Sequence, residues 1–282
     1  MSTLHDSVEC IIGELPSMPA VIAKVLNLLE IESTPNLMLA DAIAHDPALS
    51  ARILRLANSA SSGVRNRIKN LDHSIGVVGR SAVRGLALES SVKNMNSTLG
   101  DIGTMLWDNS VGCAIACRVV ARFMRTINMD EAFLAGLFCP VGKVVLALKR
   151  GNDYQAILKA APTSVKDLQS LELEKFGLSH EIVAAALLEK WNMDPSLVSG
   201  IRNCYSLKND SGDLQAVMIS RIVNIANAFT EKIGIGHFAP REKVELDHIF
   251  AAHLLRITPD QITGLFEEFL VAFRNDHEYY LS

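Results

Sequence analysis

The chain has 282 residues and is 49% hydrophobic, which is enough to bury a sizeable core in one large domain or two moderate ones. No apolar run approaches the length that spans a bilayer, because Gly136, Gly142 and Lys143 interrupt the most apolar stretch, and the N-terminus lacks the pattern of a signal peptide. The five cysteines include no C-x-x-C pair, so we expect reduced thiols, a cytoplasmic location and no contact with a membrane.

The net charge of −4 hides an excess of basic residues in one part of the chain. Between residues 47 and 98, the basic side chains are opposed only by Asp72 and Glu89. The basic side chains are Arg52, Arg55, Arg65, Arg67, Lys69, Arg80, Arg84 and Lys93. Such a basic face favours an anionic partner, although an ordinary solvated helix surface has the same composition.

Helix signals recur along the chain, whereas strand signals do not. Five prolines stand where a first helical turn is expected, a position at which the missing N–H of proline costs nothing. They are Pro16, Pro35, Pro47, Pro195 and Pro259. Thr258 and Gln261 have the spacing of a capping box at the start of the last predicted helix.

Apolar residues also recur at the helical period of 3.6 residues. They follow one stripe from residue 18 to 29 and another from 46 to 60. Further helices are predicted at 106–125, 131–149, 165–176, 180–191, 195–204, 214–232, 244–255 and 259–273. We therefore expect an all-α, multi-helical fold.

The segment 94–104, which reads NMNSTLGDIGT, is poor in bulky apolar residues and rich in turn formers. It predicts a boundary between a smaller helical bundle at residues 1–98 and a larger one at residues 104–282. The smaller bundle is expected to pack on the larger. Two further loops are predicted, at 208–213 and at 234–240.

Polar residues of the helix at 46–60, and of the segment after it, form a predicted recognition face. Arg52, Arg55 and Ser59 fall opposite the apolar stripe, and guanidinium groups offer forked donors to carboxylates or phosphates. The candidate binding residues are Asp46, Arg52, Arg55, Asn58, Ser59, Arg65 and Arg67. Simpler roles stay open: an N-cap for Asp46, solvent exposure or an internal ion pair for the arginines, and turn caps for Asn58 and Ser59.

Motifs in both halves of the chain resemble those of the HDOD family. The N-terminal motifs are LPSMP at 15–19, IAHDPAL at 43–49, LRLANSA at 54–60 and SIGVVG at 74–79. Downstream, the similar residues are Trp107, GLF at 136–138, GK at 142–143, FGLSH at 176–180 and LLEKW at 187–191. The resemblance covers residues 10–230.

The resemblance implies an all-α fold related to the HD-domain phosphohydrolases. In those enzymes, His and Asp residues from several helices hold one or two divalent metals, which activate water against a phosphoester. HDOD proteins usually act instead as regulatory modules of bacterial signalling. The resemblance therefore implies a protein that works by binding a signalling partner.

The positions of the enzymes' metal ligands have mostly changed in this chain. Alignment of the motifs places Asn109 and Cys139-Pro140 at the positions of the first His and of the His-Asp pair. His180 is retained, Cys204-Tyr205 replaces a later His pair, and Asn227 replaces the final Asp. A catalytic metal needs about three N or O ligands. We therefore expect no metal, no cofactor and no catalysis, with Asn109, Cys139, His180 and Asn227 as a remnant pocket.

Two other functions stay open. The first is a degenerate enzyme whose remnant pocket retains a small nucleotide, in which case His180 is more than a hydrogen-bonded core histidine. A nucleic-acid-binding regulator is the second alternative, because residues 75–84, IGVVGRSAVR, weakly resemble the turn of a helix-turn-helix. The same pattern occurs in many helix pairs, so nucleic acid is the less favoured partner.

Overall fold

The computed structural model describes residues 11, 13–60, 68–207 and 212–281, which contain helices and turns but no strand. The α-helices are α1 Ala20–Glu30, α2 Asn36–Ile43, α3 Pro47–Ala60, α4 Leu71–Val78, α5 Arg80–Ser97, α6 Asp101–Met124, α7 Met129–Phe138, α8 Val141–Ala160, α9 Leu168–Phe176, α10 His180–Lys190, α11 Pro195–Arg202, α12 Leu214–Ile233, α13 Phe250–Leu254 and α14 Pro259–Leu281. A short 3-10 helix, Leu246–His248, precedes α13. The prediction of an all-α fold is confirmed.

The chain divides into two compact units. The smaller unit is Ser17–Asn94, and the larger is Met95–Ser282 together with the described residues up to Pro16. Trp191 and Lys190 hold the early segment within the larger unit, since they donate hydrogen bonds to the backbone oxygens of Pro16 over 3.0 Å and Leu15 over 2.6 Å.

In the smaller unit, local signals fix where the helices begin. Asp46 accepts a hydrogen bond at Oδ1 from the backbone N–H of Leu49 over 3.0 Å, so it is the N-cap of α3. The prediction of a helix start at Pro16 was wrong, because α1 begins only at Ala20, directly after Pro19.

In the larger unit, two glycines allow helices to cross closely. A Cβ at Gly136 of α7 would overlap the backbone of Cys113 in α6. A Cβ at Gly142 of α8 would overlap the backbone oxygen of His180 at the start of α10. Side chains that follow these glycines are therefore brought to one buried centre.

Three predicted elements differ from the structure. The segment 94–104 is mostly helical, with only a three-residue turn at 98–100, because Gly100 adopts a φ of 59° and reverses the chain between α5 and α6. The helix predicted at 131–149 is broken between Phe138 and Val141, where Pro140 cannot continue a helix. The helix predicted at 244–255 is a 3-10 turn followed by the short α13.

One stretch, Met129–Ala160, is long and apolar enough to cross a bilayer by length and composition. The expectation that no such stretch exists was therefore wrong. Within the described residues, 78% of its most apolar window is buried inside the fold, and the stretch includes the break at Pro140. Both features are typical of core helices.

Candidate functional site

Four helices of the larger unit bring the residues of the remnant pocket together. Asn109 lies on α6, Cys139 ends α7, His180 begins α10, and Asn227 lies on α12. All four side chains are buried. The structure thus places the four at the core of the unit, where each polar atom needs a partner.

Asn109 is surrounded by donors and acceptors from the protein itself. Its Oδ1 accepts a hydrogen bond from Nζ of Lys143 over 3.0 Å, and Lys143 is only 3% exposed. Its Nδ2 donates to the backbone oxygen of Ile235 over 3.2 Å and lies 3.5 Å from Oγ1 of Thr230. A buried ammonium is therefore held beside the position at which the HD enzymes place their first histidine.

Asn227 links two thiols of the same centre. Cys113 Sγ donates to Asn227 Oδ1 over 3.1 Å, and Asn227 Nδ2 donates to Cys139 Sγ over 3.5 Å. Burial raises the pKa of the Cys113 thiol to about 12. Asn227 is therefore engaged at both ends of its amide group.

Cys139 has a second thiol as its neighbour. Its Sγ lies 3.9 Å from Sγ of Cys204, and both residues are fully buried. The hydrogen bond from Cys204 outweighs burial and, with the nearby charge of His180, lowers the pKa of the Cys139 thiol to about 7. The motif alignment placed both cysteines at ligand positions of the enzymes, and the structure brings their sulfurs into contact.

His180 is held by partners on both ring nitrogens. Nδ1 lies 2.8 Å from Oε2 of Glu172, and Nε2 lies 3.2 Å from the hydroxyl of Tyr205. Burial disfavours a charged imidazole, but the carboxylates of Glu172 and Glu181 outweigh it, so the net pKa of His180 is raised. The retained histidine is thus a hydrogen-bonded core residue in this structure, and its partners favour the protonated form.

Glu172, His180 and Glu181 place potential ligand atoms within 4.8 Å of one another, the one such group of His, Cys, Asp and Glu among the described residues. Both oxygens of Glu172 are already used: Oε1 accepts from the Tyr154 hydroxyl over 2.6 Å, and Oε2 accepts from the backbone N–H of His180 over 2.8 Å. Glu181 accepts from the hydroxyl of Ser179. This group is suited to hold a proton on His180 between carboxylates.

The loop after α12 covers the centre. A Cβ at Gly236 would overlap Asn109, and the φ of Gly236 is 73°, a conformation that favours glycine. Burial, together with the charges of Lys143 and His180, holds the pKa of the neighbouring His237 well below its usual range. The loop backbone therefore lies where a ligand of Asn109 would have to approach.

The donor set does not fit a catalytic divalent metal. The amide of Asn109 is used by protein partners, Pro140 offers no side-chain ligand, and Cys139 and Cys204 are soft sulfur donors. His180 is the one histidine left at the positions that the resemblance identifies.

In the smaller unit, the predicted recognition face is only partly exposed. Arg52 is only 6% exposed and forms a buried ion pair with Glu89 of α5, so its prediction as a binding residue was wrong and the alternative of an internal ion pair applies. Burial raises the pKa of Glu89, and Arg52 and Lys93 offset this only in part. The Arg52 side chain thus meets a carboxylate that is distant in sequence, and the helical period alone gave no sign of it.

The other predicted recognition residues divide into structural and exposed groups. The side chain of Asn58 donates from Nδ2 to the backbone oxygen of Ile68 and accepts at Oδ1 from the backbone N–H of Ile68, both over 2.9 Å, and so fixes the chain that leads into α4. Arg55 and Ser59 are exposed on α3. Arg65 and Arg67 lie outside the described residues. Arg55 and Ser59 remain the accessible described members of the face.

The segment with a weak helix-turn-helix resemblance has a different geometry. Only Gly79, with a φ of 83°, separates α4 from α5. The guanidinium of Arg80 donates to the backbone oxygens of Leu28, Leu29, Ile31 and Thr34 over 2.9 to 3.1 Å. Arg80 therefore stabilises the connection between α1 and α2, and it donates these hydrogen bonds within the smaller unit.

Sequence reasoning missed several residues that complete the buried centre. Lys143 was noted only within the GK motif and as an interruption of an apolar stretch, although a lysine within so apolar a stretch is a signal for a buried cation. Glu172, Glu181 and Tyr154 carry no recognisable motif. Their role depends on contacts between α8, α9 and α10 that only the fold specifies.

Comparison with known proteins decides the family. The family model of the HDOD domain matches residues 15–207. The chain belongs to the HDOD family. Its curated relative from Treponema pallidum (strain Nichols), an uncharacterized protein, is 20% identical over 267 residues, which is 91% of this chain. The chain spans about half the length of that relative, namely 50%.

Solved structures share the HDOD fold with this chain. An HDOD domain protein of unknown function from Geobacter sulfurreducens aligns with a TM-score of 0.73 and 20% identity over 98% of this chain and 97% of its own. A protein from Marinobacter aquaeolei VT8, named as a signal transduction protein, has a TM-score of 0.69 and 20% identity over 99% and 65%. A protein from Shewanella amazonensis SB2B that bears the name phosphohydrolase has a TM-score of 0.64 and 24% identity over 94% and 93%. At these identities the likeness shows the fold.

Proposed function

We propose that this HDOD protein is a non-catalytic signalling module of the bacterial cytoplasm that acts by binding a protein partner. The observation that carries the proposal is the changed donor set of the centre: the amide of Asn109 is bonded to protein groups, and Pro140 stands at a ligand position of the related enzymes. Of the ligand positions that the resemblance identifies, only His180 keeps an imidazole or a carboxylate, and a catalytic metal that activates water needs about three N or O ligands.

Packing around the centre supports binding elsewhere rather than in the remnant pocket. Asn109, Cys139, His180 and Asn227 are buried and bonded to protein groups, and the Gly236 loop lies against Asn109. A nucleotide in this place would have to displace that loop. The exposed Arg55 and Ser59 on α3 are the described part of a surface that a partner can reach.

Phosphodiesterase activity tests the proposal directly. The purified full chain is incubated with bis-p-nitrophenyl phosphate and with cyclic dinucleotides, each in the presence of Mg²⁺, Mn²⁺ or Ni²⁺. We expect hydrolysis at the rate of the metal-only blank. The control variant is His248→Ala, because His248 is exposed. Hydrolysis above the blank that is lost in His180→Ala but kept in His248→Ala would contradict the proposal.

A further inference from the structure

The two thiols at the end of α7 and after α11 form an unusual buried pair. Cys139 caps α7, and Cys204 lies in the turn that follows α11, so they come from separate elements 65 residues apart. Their sulfurs are 3.9 Å apart. A disulfide needs about 2.05 Å between sulfurs, so each sulfur would have to move by about 1 Å.

We propose that Cys139 and Cys204 form a reversible disulfide when the protein meets hydrogen peroxide, which makes the pair a redox-sensitive modification site. The use of this bond as a signal rests on the proposed function, whereas the formation of the bond is independent of it. Neither residue lies within a helix, so backbone adjustment is less costly than it would be in a helical turn.

The surroundings favour this pairing over others. The amide of Asn227 bonds the sulfur of Cys113 through Oδ1 and the sulfur of Cys139 through Nδ2. The sulfurs of Cys139 and Cys204, by contrast, contact each other directly. Cys139 is also the thiol of this centre whose pKa is lowered, to about 7, whereas burial raises the pKa of Cys113 and of Cys204. A thiolate is the form that attacks a peroxide.

The chemistry balances with peroxide as the oxidant. The Cys139 thiolate attacks one peroxide oxygen, the O–O bond breaks, and water leaves after taking up a proton, which gives a sulfenic acid. The Cys204 sulfur then attacks the sulfur of Cys139, the S–S bond forms, the S–O bond breaks, and a second water leaves. The two sulfurs together lose two electrons, and the peroxide gains them.

Mass spectrometry of the full chain tests the bond. After peroxide treatment, we expect the intact chain to lose about 2 Da. Subsequent alkylation under denaturing conditions should label two fewer thiols than the five cysteines of the chain, with one linked peptide pair containing Cys139 and Cys204. Dithiothreitol should restore all the thiols. A linked pair involving other cysteines, or oxygen addition at Cys139 without a link, would overturn the proposal.

Serine variants sharpen the test. Cys204→Ser should abolish the linked pair and convert Cys139 to oxygen adducts under the same treatment. Cys117→Ser is the matched control, because Cys117 is equally buried and burial raises its pKa well above the usual range, so the linked pair should persist. If Cys204→Ser fails to fold, the linked peptide of the wild-type chain decides alone. Neither outcome bears on phosphodiesterase activity, so the two proposals fail separately.

Discussion

Lys143 donates a hydrogen bond from Nζ to Oδ1 of Asn109 over 3.0 Å, and both side chains are buried in the larger unit. Asn109→Leu removes the acceptor and leaves an ammonium without it in the core, so we expect a loss of roughly 3 kcal/mol in the free energy of unfolding. Urea denaturation measures it.

A double-mutant cycle isolates this contact. Lys143→Met combined with Asn109→Leu removes both partners. We expect the loss in free energy of unfolding of the double variant to be at least about 1 kcal/mol smaller than the sum of the losses of the two single variants. Strict additivity would show that the ammonium does not depend on Asn109.

The buried pair of Arg52 and Glu89 predicts a sharp contrast along α3. Arg52→Met leaves the Glu89 carboxylate uncompensated, which costs roughly 3–5 kcal/mol. Arg55→Ala, one turn further on an exposed position, should change stability by less than about 0.5 kcal/mol. Adding Glu89→Leu to Arg52→Met should recover most of the loss. Equal effects at positions 52 and 55 would contradict the burial of Arg52.

His180 should titrate above the usual range of histidine because of Glu172. NMR of the imidazole should show a protonated ring beyond pH 6.5 in the wild-type chain and a lower midpoint in Glu172→Gln. Glu174→Gln, on the same helix but exposed and paired with Lys166, should leave the midpoint unchanged. Equal midpoints in the wild type and Glu172→Gln would contradict this role of Glu172.

The same shift has a consequence for stability. A histidine pKa that is raised in the folded state stabilises the fold fully below its unfolded value of about 6.5, and this stabilisation is lost as pH rises through the folded value. The lowered pKa of Cys139 acts in the opposite sense near pH 7. The histidine contribution is therefore measured as the difference between the wild type and Glu172→Gln in the pH dependence of the free energy of unfolding.

Gly236 should be the costliest glycine to replace in the loop over the centre. Gly236→Ala forces a Cβ into Asn109 at a φ of 73°, whereas Gly100→Ala, at a φ of 59°, meets nothing within 4 Å. Both variants carry backbone strain of about 1–2 kcal/mol, and only Gly236→Ala adds a clash. Thermal denaturation should show the larger fall in Tm for Gly236→Ala. Equal falls would mean that the loop does not lie against Asn109.

Sequence patterns predicted the features that depend on neighbouring residues. The N-cap at Asp46 is present, as is the Thr258 and Gln261 capping box, in which the Thr258 backbone N–H donates to Gln261 over 2.9 Å. The HDOD membership and the all-α fold also followed from local motifs. Each of these signals lies within a few consecutive residues, so it can be recognised in the sequence without knowledge of the tertiary contacts.

Features that depend on distant contacts were not predictable. Arg52 was placed on the surface because its partner Glu89 is 37 residues away. The direct contact between Cys139 and Cys204 was not predicted, because the two residues are 65 positions apart. Glu172 meets His180 only after the chain turns between α9 and α10. Periodicity assigns a face to a residue, but it does not say which helix covers that face.

Metal content of the purified full chain tests the central claim most directly. Elemental analysis after expression in medium supplemented with iron, manganese, nickel and zinc should find far less than one metal ion per chain, because His180 alone keeps an imidazole or a carboxylate at the ligand positions and the amide of Asn109 is bonded to protein groups. About one ion per chain, lost in His180→Ala and retained in His248→Ala, would contradict the account.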